Sequence, residues 1–393
     1  MTSWLRTKLT DGTPERRFHA HSYYDIPVID ASGSSVLVHR MSVAGRALRP
    51  DDAVTVGVVA LDRPGSFAAL GQSRAWSWQQ GPMAQWVGGG PIAAYNDREG
   101  DAFVCRLVDV ASDARRTLPR PVYALTPDGG AALSLNMARL DALRPGYGYA
   151  GGEGGRLDRR APDDDGVWRV DPATGAARLI LSLAAARDFA LPRLRLGQRL
   201  HERLRPAHFW FNHAKIAPGG RRFTVKLRWR IPGRGWTDRQ GVSLTADLDG
   251  GDLRLLADAT SHVLWLDDHR LYAWRLSELI LLDDAGRRSN RVRRIAPDLV
   301  RDNVHMRHLP PGATETLGET VFDTPYKEVV DLVHYDDRTG AHSRIATFRG
   351  HVPARGPFRC DLHPVPSPDG RTIVVTSTED GGRQVYALRR TDG

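Results

Sequence analysis

Short apolar runs alternate with turn signals along most of the chain, and the runs are too short for helices. Five turns carry the pattern: Asp30-Ala31-Ser32-Gly33, Thr126-Pro127-Asp128-Gly129, Ala217-Pro218-Gly219-Gly220, Pro310-Pro311-Gly312 and Ser367-Pro368-Asp369-Gly370. A β-branched or apolar run follows each: Val36-Leu37-Val38, Ala132 to Leu135, Phe223 to Leu227, Thr320-Val321-Phe322 and Ile373-Val374-Val375. Runs of this length and composition, bounded by Gly and Pro, predict strands. In several units a third strand leads to a second turn, such as Asp171 to Gly175 or Tyr335 to Gly340, with a fourth strand after it. Helical periodicity is confined to Ser182 to Phe189. The repeated unit is strand, turn, strand, strand, turn, strand, which is a propeller blade.

The expected fold is therefore all-β: a seven-bladed β-propeller of four-stranded antiparallel blades around a central channel. One domain is expected over residues 1–393, with blades starting near residues 19, 66, 119, 205, 259, 302 and 356. The Gly-rich stretch from Gly146 to Asp165 is the largest expected insertion. A two-sheet sandwich is the alternative, but it does not account for a constant histidine offset. His213, His305 and His363 each precede a turn proline (Pro218, Pro310, Pro368) by five residues, and His262 precedes Asp267 by five. The first strand of a blade lines the channel, so residues in that register point to one shared address at the axis.

A hydrophobic content of 41% with 26% charged residues fits a folded globular chain and excludes a disordered one. No apolar run reaches the roughly 20 residues a membrane helix needs. The start, Met1-Thr2-Ser3-Trp4-Leu5-Arg6, lacks a signal-peptide apolar core, so a cytoplasmic address is expected. The formal charge is +9, and nearly all of the positive side chains are arginine. A high-GC genome explains part of that bias. Guanidinium also matches carboxylate with a planar fork, so an anionic partner is the functional alternative. No basic helix or nucleic-acid module occurs, which leaves an acidic carbohydrate as the better partner. The two cysteines, Cys105 and Cys360, provide no disulfide framework, and Cys105 in Phe103-Val104-Cys105 reads as a buried hydrophobe.

His305, Asp323, Cys360 and His363 fall in the sixth and seventh predicted blades. Imidazole, carboxylate and thiolate together suit a four-coordinate Zn²⁺ site, structural if closed and polarising if one position stays open. His262 is a fifth candidate in the same register. The alternative is a set of channel residues joined by hydrogen bonds and water.

Several pieces carry a family resemblance: His19 to Asp25, Tyr95-Asn96-Asp97-Arg98, Ser134-Leu135-Asn136 with Arg139, and Leu143 to Tyr149. Further on it is carried by His208 to His213, Arg359 to Pro364 and Glu379 to Gln384. Together they resemble the seven-bladed β-propeller polysaccharide lyases, the ulvan lyase and rhamnose–glucuronate lyase group, with oligogalacturonate lyases more distant. The resemblance implies β-elimination at a uronate. Tyr123 and Arg139 match the tyrosine and arginine that work together at the scissile sugar. Arg139 would neutralise the carboxylate, and Tyr123 would act as base, acid or both. On the residues alone, Tyr123 also reads as a strand aromatic and Arg139 as a solvated turn residue.

The sequence departs from the family in the second blade, where histidines are expected and Gln79 and Asn96 stand in Trp78-Gln79-Gln80-Gly81 and Tyr95-Asn96-Asp97-Arg98. The proton role then either passes to His208 or His213 or is lost, and Gln79 and Asn96 become hydrogen-bonders to a sugar hydroxyl or carboxylate. His213 also reads as a channel hydrogen-bonder. Tyr147 and Tyr149, beside the glycines of the insertion, read as a stacking platform or a plain loop. Arg228 and Arg230 alternate along one strand and share a face. No phosphate loop, Gly-x-Ser-x-Gly elbow or His-Glu-x-x-His occurs. The expected function is a lyase acting on a uronate-containing acidic oligosaccharide, with a glycan- or protein-binding propeller that does no chemistry as the alternative.

Overall fold

The computed structural model describes residues 3–12, 18–194, 196–197, 199–200, 207–231, 240–285, 290–310 and 318–391. Seven four-stranded antiparallel sheets form a seven-bladed propeller. The first blade is β2 (Phe18–Ala20), β3 (Ser35–Met41), β4 (Val54–Ala60) and β5 (Ala68–Ser73); the second is β6 (Gln85–Trp86), β7 (Ile92–Glu99), β8 (Ala102–Asp109) and β9 (Arg115–Leu118). The third is β10 (Ala124–Leu125), β11 (Ala132–Ser134), β12 (Gly166–Val170) and β13 (Ala177–Ser182). The fourth is β14 (His208–Ile216), β15 (Arg222–Arg230), β16 (Gln240–Asp247) and β17 (Arg254–Asp258). The fifth is β18 (Thr260–Trp265), β19 (Arg270–Arg275), β20 (Glu278–Asp283) and β21 (Arg291–Arg294). The sixth is β22 (Met306–Leu309), β23 (Glu319–Asp323), β24 (Val330–Asp336) and β25 (His342–Phe348).

The seventh blade joins both ends of the described chain. Its strands β26 (Val365–Pro366), β27 (Thr372–Ser377) and β28 (Gln384–Thr391) are completed by β1 (Ser3–Lys8), which pairs antiparallel with β28 from Ser3↔Thr391 to Lys8↔Tyr386. Residues near 66 therefore do not open a blade: Ala68–Ser73 is the outer strand of the first, and the second begins at Gln85.

Four of the turn signals behave alike. Gly33, Gly129, Gly220 and Gly370 all have φ between 70° and 72°, and each donates its N–H to the carbonyl three residues earlier. A positive φ carries no Cβ penalty at glycine, which is why the turn repeats with that residue. Pro311-Gly312, the second half of the remaining turn signal, lies outside the described residues.

The second strands of the blades are buried on both faces, as in Thr372–Ser377 and Arg222–Arg230. That explains why Ile373 to Val375 reads as a continuous apolar run. Trp210 and Trp229 are among the largest fully buried side chains, each worth roughly 2–3 kcal/mol as apolar burial. Helical segments interrupt the β pattern. Helix α1 (Met137–Leu143) is N-capped by Asn136 and sits between β11 and β12 with the Gly146–Asp165 stretch behind it. Helix α2 (Leu183–Ala190) is capped by the Ser182 hydroxyl, at the predicted place.

Candidate active site

The four in-register histidines meet at one side chain. Tyr23, from the segment after β2, is 1% exposed, and its ring lies 5.3 Å from His213, 6.4 Å from His262, 6.0 Å from His305 and 4.6 Å from His363, centroid to centroid. Two of these histidines reach the axis through unusual backbone. His213 sits at φ 54° where the β14–β15 register shifts between Asn212 and Lys215, and His363 has φ 47°. Non-glycine residues rarely occupy the left-handed region, and where they do the fold is holding a side chain in place.

Within this cluster His305, Asp361 and His363, all buried, bring one ligand atom each within 4.8 Å of one another. Asp361 Oδ2 is 3.8 Å from Nε2 of His305 and 3.8 Å from Nε2 of His363. Neither Nε2 makes a hydrogen bond among the described residues. Asp361 Oδ2 makes none of good geometry either, although Arg359 Nη2 is ion-paired with it at 2.8 Å. Buried polar atoms are normally satisfied, so two unbonded imidazole nitrogens converging on a carboxylate that Arg359 pairs from one side fit a bound cation. Two imidazoles and one carboxylate suit a divalent transition metal with remaining positions open.

Two of the four expected ligands are corrected by this geometry. Asp323 is not part of the trio: it accepts from His305 Nδ1 at 2.9 Å and from the His305 backbone N–H at 2.9 Å, so it orients a ligand. Cys360 turns away. Its thiol contacts the carbonyls of Asp361 and Thr376 at 3.8 and 3.6 Å, and burial pushes it up to about 11. The sulfur lies outside the converging trio, and the thiolate argument for zinc goes with it. His262 donates its Nδ1–H to the Val304 carbonyl, 2.8 Å away, and its ring lies tilted against His305 without joining the trio.

Above these groups opens a cavity of about 650 Å³ whose lining includes Arg144, Arg230, Arg355, Arg359, Tyr147 and Tyr326. Tyr147 is held by cations on two sides. The Arg144 guanidinium lies 3.6 Å over its ring, and Arg359 Nη2 donates to its hydroxyl at 3.2 Å. Burial opposes ionisation of this phenol, but Arg144 and Arg359 outweigh it and lower the group to about 8. Arg144 Nη1 also donates to His213 Nε2 at 3.0 Å. Burial, then the Arg144 charge, hold His213 well below the ordinary imidazole range, so it is neutral with its proton on Nδ1.

The other expected site residues are engaged elsewhere. Arg139 lies on α1, buried, and all five of its side-chain N–H groups go to backbone carbonyls: Phe209, Gly155, Arg156, Arg159 and Arg160, at 2.5 to 3.0 Å. It is left with no donor for a substrate carboxylate. Tyr123 accepts from Gln80 at 2.6 Å and from the His213 N–H at 3.0 Å, and burial raises its ionisation far above the ordinary phenol. His208 meets the Leu157 carbonyl at 2.9 Å. Gln79 donates to the carbonyls of Pro357 and Arg359, and Asn96 ties both Val122 and the Tyr149 hydroxyl at 2.7–2.8 Å. Arg228 donates to Asn212 at 3.2 Å. The groups that sequence reasoning missed are Asp361, Arg144 and Arg359. All three stand inside motifs already singled out, yet neighbours in those motifs were chosen instead.

No protein-family model matches this chain, and no curated protein matches it in sequence. Solved structures do match. Oligogalacturonate lyase from Vibrio parahaemolyticus superposes with TM-score 0.58 at 10% identity, over 98% of this chain and 97% of that one. A second oligogalacturonate lyase, in complex with manganese, gives 0.44 at 12% identity over 100% and 96% of the two chains. A prolyl endopeptidase gives 0.50 at 14% identity, over 94% of this chain but 47% of its own. At such identities the shared property is the propeller fold.

Proposed function

We propose that this protein is a lyase that cleaves a uronate-containing acidic oligosaccharide by β-elimination at the arginine-lined mouth. The observation that carries the reading is Tyr147, with the Arg144 guanidinium 3.6 Å over its ring and Arg359 donating to its hydroxyl at 3.2 Å, in the same cavity as further guanidiniums and beside the His305–Asp361–His363 trio. The fold it shares with an oligogalacturonate lyase lends support.

β-Elimination breaks the C5–H bond, forms the C4–C5 double bond and expels the glycosidic oxygen. The arginines of the cavity neutralise the uronate carboxylate, which makes the C5 proton more acidic and stabilises charge as it develops. Tyr147, as phenolate, takes that proton and returns it to the departing oxygen. His213, neutral and fixed by Arg144, holds that arginine in place. His305, Asp361 and His363 are the residues that would hold a divalent metal, which when bound supplies Lewis-acid stabilisation of negative charge. The resemblance favours rhamnose–glucuronate oligosaccharides as substrates, in a cytoplasmic setting that suits short imported pieces. Among the described residues no helix is long and apolar enough to cross a membrane.

The test is ultraviolet absorbance of the unsaturated uronate product across rhamnose–glucuronate and galacturonate oligomers. A signal that Tyr147→Phe removes supports the reading, and silence across the panel overturns it. A propeller that binds glycans without cleaving them is the second reading, favoured by Gln79 and Asn96, both spent on backbone and scaffold bonds.

A further inference from the structure

The channel has a second mouth, at the opposite ends of the innermost strands. There a separate cavity of about 380 Å³ is lined by Asp25, Lys215, Arg307 and His308 together with apolar walls that include Leu264 and Trp265. Lys215 is 5% exposed. Its Nζ donates to the Tyr24 hydroxyl at 2.6 Å and stands 3.4 Å from Asp25 Oδ2. Asp25 Oδ1 and His308 Nε2 are buried and make no hydrogen bond among the described residues. Nothing in the lyase chemistry of the other mouth uses these groups.

The choice of lysine is itself informative. Only four of the 55 basic side chains are lysine: Lys8, Lys215, Lys226 and Lys327. Arginine serves almost everywhere a fixed positive charge is needed. What lysine adds is the capacity to shed its proton and present a nitrogen lone pair. Burial, assisted by the charge of Arg307 and opposed by Asp25, lowers the Lys215 ammonium to about 8.

We propose that Lys215 forms an imine with a small carbonyl compound bearing a carboxylate, of the 2-oxo acid class. Asp25 takes a proton from the ammonium, and the freed lone pair attacks the carbonyl carbon. A C–N bond forms as Asp25 passes that proton to the carbonyl oxygen. A second proton follows from nitrogen, the C–O bond breaks, and the oxygen leaves as water. The iminium keeps one N–H and the single positive charge, so an ammonium and a carbonyl become an iminium and a water. Arg307, half-buried in the same lining and donating to the Tyr24 carbonyl at 2.8 Å, anchors the carboxylate. Tyr24, which accepts from Lys215 and donates to the Val263 carbonyl at 3.3 Å, fixes the amine toward the cavity.

The scarcity of lysine makes the test clean. The full chain is incubated with pyruvate and cyanoborohydride, digested, and its lysine peptides weighed; a parallel sample receives acetone. The expected result is one carboxyethyl group on the Lys215 peptide, loss of that adduct in Lys215→Arg, and much weaker labelling of Lys215 by acetone. Labelling confined to the exposed amines, or none, overturns the proposal. Equal labelling by acetone and pyruvate overturns the 2-oxo acid assignment. The peptide map of the unmodified chain decides even where Lys215→Arg fails to fold, and neither result depends on lyase activity at the other mouth.

Discussion

Asp323 holds His305 twice, by the ring at Nδ1 and by the backbone N–H, each at 2.9 Å. The carboxylate thereby fixes the tautomer that leaves Nε2 of His305 as an acceptor facing Asp361. In Asp323→Asn the amide can donate to Nδ1 and free the wrong tautomer. Metal affinity is expected to fall about 10- to 100-fold with the fold intact, as for outer-shell partners in general. Calorimetric titration with manganese or zinc checks it, and unchanged affinity would remove Asp323 from the site.

The donor trio separates two adjacent residues. Cys360→Ser is expected to leave metal content unchanged, whereas Asp361→Asn and His363→Ala lose it. Elemental analysis of protein purified without chelator reads all three. Retention in Asp361→Asn together with loss in Cys360→Ser would restore the thiol as ligand.

That pair also shows where sequence reading stops. The blades are legible because turn glycines and apolar runs repeat, and the shared histidine offset is legible because the innermost strands repeat. Asp361 against Cys360 is not. Residues 359–364 form no strand, and His363 has a positive φ, so period-two alternation does not say which neighbour faces the axis. Arg139 misleads for a different reason. Asn136 starts a short helix there, and the helix turns the side chain beneath the Gly155–Arg160 stretch instead of into the cavity. Arg144, one turn beyond, takes the position facing Tyr147.

The pH dependence of turnover follows from Tyr147. A base must be deprotonated to act, so kcat/KM is expected to rise as pH passes about 8 and then level off. Arg144 is the leading cation that lowers the phenol. Arg144→Gln is therefore expected to move the rising limb to higher pH as well as weaken substrate binding. A limb that stays in place would assign the base to another group.

Arg139→Ala is expected to act on stability. Five carbonyls lose a charged donor at once, and denaturant unfolding should report a loss of about 3 kcal/mol or more. Arg139→Lys cannot restore it, because an ammonium has three donors and no planar fork. Full stability in Arg139→Ala with lost turnover would instead place the residue in the chemistry.

Tyr23 and Tyr24, both buried and with ring centroids 4.7 Å apart, stand between the two mouths. Among the described residues the axis of this propeller is consequently two blind wells set back to back, not a pore. Whatever enters the arginine-lined well leaves by the same opening, so a polymer cannot be threaded through the ring and pulled along. Each encounter has to end before the next can begin.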